Sequence, residues 1–212
     1  MKLIADTLTL ERGGRPVVEA LSFAVEGGEA LLLTGANGAG KTTLLRALAG
    51  LLGPASGKVV LEGGDEERNV GEQCHFIGHQ NGVKSSLTVA ENLTFWAHYL
   101  GAQKSDAAGR VETALAAFNL SPLAAIPAGY LSAGQKRRLG LARLLVAQRP
   151  VWLLDEPSVS LDTASVTLLS KAVAAHVAGG GIAVAATHLP LGLESARELR
   201  LGGSSNAAAG VS

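Results

Sequence analysis

One glycine-rich stretch, GANGAGKTT at Gly35 to Thr43, constrains the fold of this 212-residue chain more than any other part of it. It follows ALLLT at positions 30–34, a short apolar run typical of a strand buried on both faces. The next run, TTLLRALAGLL, has the apolar spacing of a helix, which Gly53-Pro54 is expected to end. A strand, a G-x-x-x-x-G-K-T turn and a helix in this order are typical of a phosphate-binding loop.

The residue types in this loop suit a nucleoside triphosphate. Its glycines allow positive φ angles, so that backbone N–H groups can turn towards phosphate oxygens, and the helix that follows adds partial positive charge. Lys41 is expected to reach the β- and γ-phosphates, and the Thr42 hydroxyl to bind Mg²⁺. A chance glycine-rich turn is the alternative, and the complete motif in its setting argues against it. The predicted nucleotide-binding positions are Gly35, Ala36, Asn37, Gly38, Ala39, Gly40, Lys41, Thr42 and Thr43.

A second run, VWLLDEP at positions 151–157, places two carboxylates at the end of an apolar strand. Asp155 is expected to hold the Mg²⁺ shell, and Glu156 to orient and deprotonate the attacking water. The alternative, two solvated carboxylates without a function, fits poorly with an apolar run beside a phosphate site. The two runs together indicate a P-loop nucleotide hydrolase or kinase that uses Mg²⁺.

The rest of the pattern predicts an α/β protein interrupted by helices. Period-two alternation marks a strand at positions 21–26, and further strands are expected at KVVLEG, CHFIGH and IAVAAT. The pattern is helical from about residue 88 to 148, and apolar spacing predicts another helix over Val166 to Val177. We expect one domain over residues 1–202, with a core of about 1–84 and 150–202, a helical insertion of about 85–149 and a disordered tail at 203–212.

Composition excludes several classes of protein. Lys plus Arg equals Asp plus Glu at 18 each, so the basic excess of a nucleic-acid binder is missing. Cys74 is the only cysteine, so no internal disulfide can form. No run reaches the roughly 18 to 20 apolar residues of a membrane span, and Asp6 and Glu11 interrupt the start where a signal peptide would be apolar. We expect a soluble cytoplasmic protein.

A second candidate phosphate-binding turn, LSAGQKRR at Leu131 to Arg138, lies far downstream of the first. The order GANGAGKTT, LSAGQKRR, VWLLDEP, SLD and TH resembles the ATP-binding domain of ABC proteins, over about residues 3–201. The resemblance implies an α/β P-loop NTPase core of the ABC ATPase type with an inserted helical subdomain, and it implies ATP hydrolysis. In that family LSAGQ, at positions 131–135, is the signature motif. Its usual form is LSGGQ, so Ala133 replaces a glycine, a departure that we expect to be tolerated.

The resemblance also implies roles for residues outside the loop. Two copies would pack head to tail, so that each signature turn contacts the ATP held by the other copy and a homodimer forms two equal sites. Gln80 would contact the nucleotide and Mg²⁺, and His188 would sense the γ-phosphate and steady the water beside Glu156. The residues so assigned are Ser132, Gly134 and Gln135 of the signature, Gln80 of the Q-loop, Asp162 of the D-loop and the switch histidine His188.

Two further expectations concern basic residues. Arg12 stands where the family usually has an aromatic residue on adenine, and a guanidinium plane can stack on a base. Lys136, Arg137 and Arg138 are expected to lie solvated on the signature helix, since the run is too short to indicate nucleic-acid binding.

The segment after the Q-loop glutamine narrows the resemblance. IGHQNGVKSSLTVAENLTFW, at positions 77–96, closely resembles the ATP-binding subunit of the bacterial haem exporter of cytochrome c maturation. This implies a peripheral subunit at the cytoplasmic face of the inner membrane, bound to integral membrane permease subunits, with ATP hydrolysis linked to delivery of haem or release of a haem-loaded chaperone. An ABC subunit for another cargo, a soluble non-transport ABC ATPase and a non-hydrolysing interaction module are the alternatives.

Side chains with ligand chemistry also occur near this segment. Cys74, His75 and His79 could in principle bind haem, but we favour a structural role because the first two fall on or near a buried strand. Trp96 and Tyr99 are expected to serve packing or partner contacts rather than a cofactor.

Overall fold

The computed structural model describes residues 1–187 and 196–202, and this part of the chain contains eight strands and five α-helices. The strands are β1 (Lys2–Arg12), β2 (Arg15–Glu26), β3 (Ala30–Thr34), β4 (Ser56–Glu62), β5 (Cys74–Ile77), β6 (Val151–Asp155), β7 (Ile182–Ala186) and β8 (Arg197–Arg200). The helices are α1 (Lys41–Leu48), α2 (Val89–Tyr99), α3 (Lys104–Ala117), α4 (Ala133–Ala142) and α5 (Thr163–Ala178). Short 3-10 turns occupy Val70–Gln73, Ser121–Leu123, Ala128–Tyr130 and Arg143–Leu145.

A five-stranded parallel sheet in the order β5-β6-β7-β3-β8 forms the centre of the molecule. Its strands are covered on both faces, and alternate residues of each strand enter different cores. In β6, Leu153 packs with α1 and the N-terminal strands, whereas Trp152 and Leu154 pack with the helices of the other face. Burial on both faces explains why β3, β6 and β7 are short, nearly continuous apolar runs.

A three-stranded antiparallel sheet, in the order β2-β1-β4, covers one face. The buried residues of β1 face the parallel sheet; they are Leu3, Ala5, Leu8 and Leu10. The alternation of buried and exposed residues breaks where the register shifts between Ala5 and Leu8. Thr7 lies at this shift with a φ of 49°. Because the irregularity interrupts the period of two, the sequence pattern did not predict β1.

Helices α2, α3 and α4 come between β5 and β6 in the sequence. They pack around a common core that includes Leu93, Val111, Phe118 and Leu139. The same core continues onto α5, whose Leu169 and Val173 are fully buried while Val166 and Val177 are partly buried, as the predicted helical face requires. Helices α2 and α4 both begin with a capping box, a pattern in which two side chains satisfy backbone N–H groups at the helix start.

Helix α1 ends earlier than the sequence predicted. It stops at Leu48 because Gly50 takes a φ of 70°, donating its N–H to Ala47 O at 3.0 Å, while Leu51 N–H bonds to Arg46 O at 2.8 Å. These two bonds satisfy the last carbonyls of the helix. Across residues 1–187 and 196–202, no helix is both long and apolar enough to cross a bilayer.

Candidate nucleotide-binding site

The predicted nucleotide motifs come together at the carboxyl edge of the parallel sheet. Leu33 of β3 pairs with Ala186 of β7, and Leu154 of β6 pairs with Ile77 of β5. The segments that follow these strands therefore lie at one edge, as is usual for ligand sites in open parallel sheets. They carry the phosphate-binding loop after β3, Gln80 after β5, Asp155 and Glu156 at the end of β6, and Thr187 after β7.

The phosphate-binding loop has the backbone geometry that its glycines allow. Gly35, Gly38 and Gly40 have φ angles of 131°, 85° and 97°. A Cβ on Gly35 would overlap the carbonyl oxygen of Leu201, and a Cβ on Gly40 would lie 2.9 Å from the Val18 side chain. Glycine is therefore needed at these two positions for space as well as for backbone angle.

Lys41 opens helix α1 and reaches back over the loop. Its Nζ donates to Gly35 O at 2.6 Å and to Ala36 O at 3.1 Å, so the ammonium group lies against the loop backbone. Loop N–H groups, the start of α1 and this ammonium together make a positive surface suited to phosphate oxygens.

Thr42 joins the loop to the acidic end of β6. Its hydroxyl donates to Asp155 Oδ1 at 3.0 Å, and Asp155 is only 2% exposed. A hydroxyl and a carboxylate are hard oxygen ligands, and Mg²⁺ commonly binds one or two such protein groups together with phosphates and waters. The pair therefore fits a Mg²⁺ site completed by the nucleotide.

Glu156 lies in an uncommon backbone conformation next to Asp155. Its φ is 46°, and its N–H donates to Ala186 O of β7 at 2.8 Å. A non-glycine residue with positive φ costs free energy, so the surrounding bonds must hold it in place. Beyond it, the hydroxyls of Ser158 and Thr187 lie 3.4 Å apart, which links the turn to the end of β7.

Arg137 is the important site residue that the sequence reasoning missed. The prediction of a solvated run was wrong for this residue, which is 4% exposed. Its guanidinium donates to Glu156 O at 2.8 Å, Pro157 O at 3.0 Å and Gly78 O at 2.8 Å, and to Asn81 Oδ1 at 3.1 Å. Burial lowers the pKa of Arg137, and the nearby Asp155 carboxylate opposes that shift.

The neighbours of Arg137 differ from it in exposure. Lys136 and Arg138 are partly exposed. Lys136 donates to Gly129 O at 3.2 Å, and Arg138 donates to Phe118 O at 3.1 Å. In the sequence, the burial of Arg137 could have been predicted from helical spacing. Arg137 precedes the buried Gly140 and Leu141 by three and four residues, so it lies on the same face of α4.

The signature turn begins helix α4 with an exposed serine. Ser132 Oγ accepts from the N–H of Gln135 at 3.2 Å, and Gln135 Oε1 accepts from the N–H of Ser132 at 2.8 Å. No acidic residue lies in the first turn of α4. A Cβ on Gly134 would lie 3.2 Å from Ser160 O, so the start of α4 adjoins the predicted D-loop.

Asp162 of that loop caps helix α5. It accepts from Ser165 N–H at 2.8 Å, and hydrogen bonds from the Ser165 side chain and backbone hold the pKa of Asp162 below its usual value. Ser160, two residues earlier, has a φ of 68°.

The ABC transporter family matches residues 18–159 of the chain. The "Cytochrome c biogenesis ATP-binding export protein CcmA" of Nitrobacter winogradskyi is 53% identical over 96% of this chain and 99% of its own length. The protein of the same name from Rhizobium etli is 49% identical over 100% of this chain and 99% of its own length. The chain belongs to this CcmA family.

Solved structures agree with the fold of this CcmA family member. An ATP-binding subunit of an ABC transporter matches 95% of the chain with a TM-score of 0.83 at 24% identity, covering 86% of that subunit. A putative ABC transporter ATP-binding protein from Pyrococcus furiosus matches 95% of the chain and 98% of its own length, with a TM-score of 0.78 at 25% identity. The predicted ABC ATPase fold and ABC-type ATPase activity, and the resemblance to the cytochrome c maturation subunit, are confirmed.

Several predicted residues of this family member are less defined. His188 lies outside the described residues, as does the tail at 203–212. Gln80 is exposed in the loop after β5, and Arg12 is exposed at the end of β1, so their nucleotide contacts stay predictions.

The buried Cys74 and His75 have the environment of structural residues. Desolvation raises the pKa of the Cys74 thiol to about 12 and lowers the pKa of His75 to about 3. His75 Nε2 is 2.9 Å from Ala147 O, which uses the N–H of a neutral ring. Both side chains are therefore poorly placed to bind a large ligand.

Proposed function

We propose that this chain is the ATP-hydrolysing subunit of a cytochrome c biogenesis complex and that it works as a head-to-tail dimer. The observation that carries the catalytic part is the 3.0 Å contact between the Thr42 hydroxyl and Asp155. It brings together the start of α1 and the carboxylates of β6, two segments far apart in sequence. Lys41 lies at the loop on one side of this pair and Glu156 follows on the other.

Each residue has one task in this proposal. The loop N–H groups and Lys41 bind the β- and γ-phosphates, while Thr42 and Asp155 would hold Mg²⁺, with Gln80 as a further candidate ligand. Bound Mg²⁺ would neutralise charge that develops on the phosphates. Glu156 takes a proton from the attacking water. His188 would steady that water beside the γ-phosphate.

Two separate candidate anion sites on one chain support the proposed dimer. Ser132 is exposed, and the start of α4 offers N–H groups without a competing carboxylate. We assign Ser132, Gly134 and Gln135 to the γ-phosphate held by the second copy, and Asp162 to the link between the two sites. Because ATP would be held from both sides, its cleavage would remove the group that joins the copies.

A groove of about 970 Å³ beside the Q-loop segment is our candidate contact for the membrane permease subunits. Trp96, Tyr99 and Leu51 contribute to its lining, and Tyr99 is 70% exposed. Phe95, also exposed, stacks on Tyr99 with ring centroids 6.0 Å apart. Exposed aromatic residues of this kind are common at protein interfaces. Docking there would hold the subunit at the cytoplasmic face of the inner membrane.

The variant Glu156→Gln tests the catalytic and dimeric parts together. We expect it to bind ATP but hydrolyse it at least about a hundredfold more slowly, because an amide cannot accept the water proton. Size-exclusion chromatography with ATP–Mg²⁺ should then show a trapped dimer. Lys41→Ala is the matched control, since loss of ATP binding should leave it monomeric under the same conditions. Normal turnover by Glu156→Gln would refute the role of Glu156.

Co-purification from membranes tests the cargo. A small polytopic partner recovered together with a haem-loaded chaperone would support haem delivery or chaperone release in cytochrome c biogenesis. Recovery of a solute permease with a binding protein would contradict it.

A further inference from the structure

A cavity of about 840 Å³ lies at the opposite end of the parallel sheet from the phosphate-binding loop. Its walls include Arg149 and Pro150, just before β6, and residues 179–181, just before β7. Both strands are parallel, and the nucleotide motifs follow their other ends. At about 3.3 Å per residue, roughly 15 Å of strand separates the cavity from Asp155. The cavity is therefore separate from the nucleotide site.

The charged side chains that line this cavity are all basic. They are Arg110 of α3, Arg149, and Lys171 of α5, and no Asp or Glu lines it within the described part of the chain. The whole chain has equal numbers of acidic and basic residues, 18 each, so this lining departs from the average. A concave surface with one sign of charge attracts ligands of the other sign.

Arg149 has weak hydrogen-bond partners, although the Glu72 carboxylate also attracts its charge. Its guanidinium donates to Cys74 O at 3.4 Å and to Leu100 O at 3.5 Å, both at the long limit for hydrogen bonds. Its Nε is the one buried side-chain nitrogen or oxygen without a hydrogen-bond partner among the residues described. A carboxylate or sulfonate nearby would give this guanidinium a much stronger acceptor.

The remaining wall is mostly apolar. The rings of Trp152 and His176 stack with centroids 4.0 Å apart and an interplanar angle of 7°. Burial lowers the pKa of His176, whose Nε2 lies 3.2 Å from Ile182 O, so its ring is neutral at neutral pH. Leu144 and Leu168 lie on the same wall. Trp152 is only 4% exposed, so this wall suits an apolar body that packs beside the ring pair rather than one that stacks on the indole.

We propose that this cavity binds a small amphipathic anion, with an apolar body along the apolar wall and an acidic group among the three basic residues. The cavity volume falls within the range of small-molecule sites. Apolar burial and ion pairing contribute together, so neither a neutral apolar compound nor a small inorganic anion would bind as tightly. The cavity is separate from the nucleotide site, but Arg149 also lines the groove proposed above for the permease subunits, whereas Lys171 lines this cavity and not that groove.

The probe for the test is 8-anilinonaphthalene-1-sulfonate, an aromatic sulfonate whose fluorescence rises in apolar surroundings. The full chain carries Trp96→Phe, which leaves Trp152 as the only tryptophan. We expect saturable binding of one probe per chain, with energy transfer from Trp152. Saturating ATP–Mg²⁺ should leave the binding unchanged.

Charge-reversal variants locate the probe. Lys171→Glu should weaken binding about tenfold, because one attraction becomes a repulsion. Lys58→Glu, on the exposed edge of β4, changes the net charge equally and should have little effect. A second variant, Arg149→Gln, should also weaken binding. The neutral analogue N-phenyl-1-naphthylamine should bind more weakly than the sulfonate.

Four outcomes would overturn the proposal. The first is that ATP displaces the probe, or that Lys41→Ala no longer binds the probe. The second is that Lys171→Glu and Lys58→Glu weaken probe binding equally, and the third is that the neutral analogue binds as tightly as the sulfonate. The fourth is the absence of saturable energy transfer from Trp152 to the probe.

Discussion

Arg137 illustrates how much one buried side chain can determine around the proposed catalytic residue, Glu156. Its four hydrogen bonds connect helix α4 with the carbonyls of Glu156 and Pro157 and with the loop that carries Gln80. Glu156 has a backbone angle that would be costly without support. We infer that Arg137 is a positioning residue, which acts through the backbone of Glu156 rather than on the nucleotide.

Replacing Arg137 with lysine tests this role. A single ammonium cannot reproduce the planar arrangement of donors, so we expect a loss of about 2 kcal/mol in the free energy of unfolding. We also expect kcat for ATP hydrolysis to fall at least tenfold with KM nearly unchanged. Arg138→Lys, at a partly exposed position, should change both quantities little. Equal effects of the two variants on kcat would contradict the positioning role.

The neutral His75 leads to a prediction about pH. Its pKa is about 3 in the folded chain and about 6.5 when unfolded. Between these values the unfolded chain binds a proton that the folded chain does not. Stability is therefore lost as the pH falls below 6.5, by at most about 1.4 kcal/mol per pH unit.

His75→Gln should flatten this dependence, because an amide can keep the bond to Ala147 O but does not titrate. Urea unfolding at pH 7, 6 and 5 measures the difference between the two slopes. Identical slopes for the variant and the native chain would disprove the burial of a neutral ring.

At the scale of elements, helices α2 and α4 provide a natural comparison. Both begin with a capping box, formed by Thr88 and Glu91 in α2 and by Ser132 and Gln135 in α4. Their local stabilisation is similar, but only the α4 cap belongs to the proposed phosphate contact. A pair of matched substitutions can therefore separate capping from function.

Ser132→Asp and Thr88→Asp form this pair. Aspartate caps a helix about as well as serine or threonine, so the melting temperature should change little in either variant. A carboxylate at position 132 should repel the γ-phosphate of the neighbouring copy and reduce ATP turnover at least about a hundredfold. Thr88→Asp should keep its turnover. Comparable activity losses in both variants would show that capping alone matters.

The sequence predicted some elements better than others, for physical reasons. Strands β3, β6 and β7 are apolar on both faces, and their motifs identified the nucleotide edge directly. The end of α1 depends on Gly50 and on two capping bonds, which the apolar pattern of the helix does not reveal. Arg137 was misjudged because a run of three basic residues suggests solvation, whereas its position on α4 faces the turn after β6.

At the scale of the whole molecule, the expected dimer and the membrane partners came from the family resemblance and not from the motifs of a single chain. The phosphate-binding loop and the acidic strand end predicted a nucleotide hydrolase or kinase, and the resemblance specified an ATPase of the ABC type, with which the fold and relatives agree. The division into a core and an inserted helical part at about residues 84 and 150 stays a prediction, as does the head-to-tail dimer. Both concern relationships between large units rather than local residue patterns.

Mixing two inactive variants tests the dimer. Lys41→Ala keeps a signature turn but has no working loop, and Ser132→Asp keeps the loop but has no working signature. A mixed dimer has one intact site, made by the loop of Ser132→Asp and the signature turn of Lys41→Ala, so an equal mixture should recover activity, up to about half of the native value if all copies pair. No recovery in a mixture that demonstrably forms mixed dimers would rule out two equal shared sites.

The single cysteine has a practical consequence. Cys74 is buried, and its thiol resists ionisation near neutral pH. Maleimide dyes and thiol crosslinkers should therefore leave the native chain unmodified while it stays folded. A cysteine introduced at an exposed position outside the proposed site, such as Ala108 of α3, would then be a unique attachment point, without first removing the native one. Distances between labels on two copies could be followed directly through a cycle of ATP binding and release.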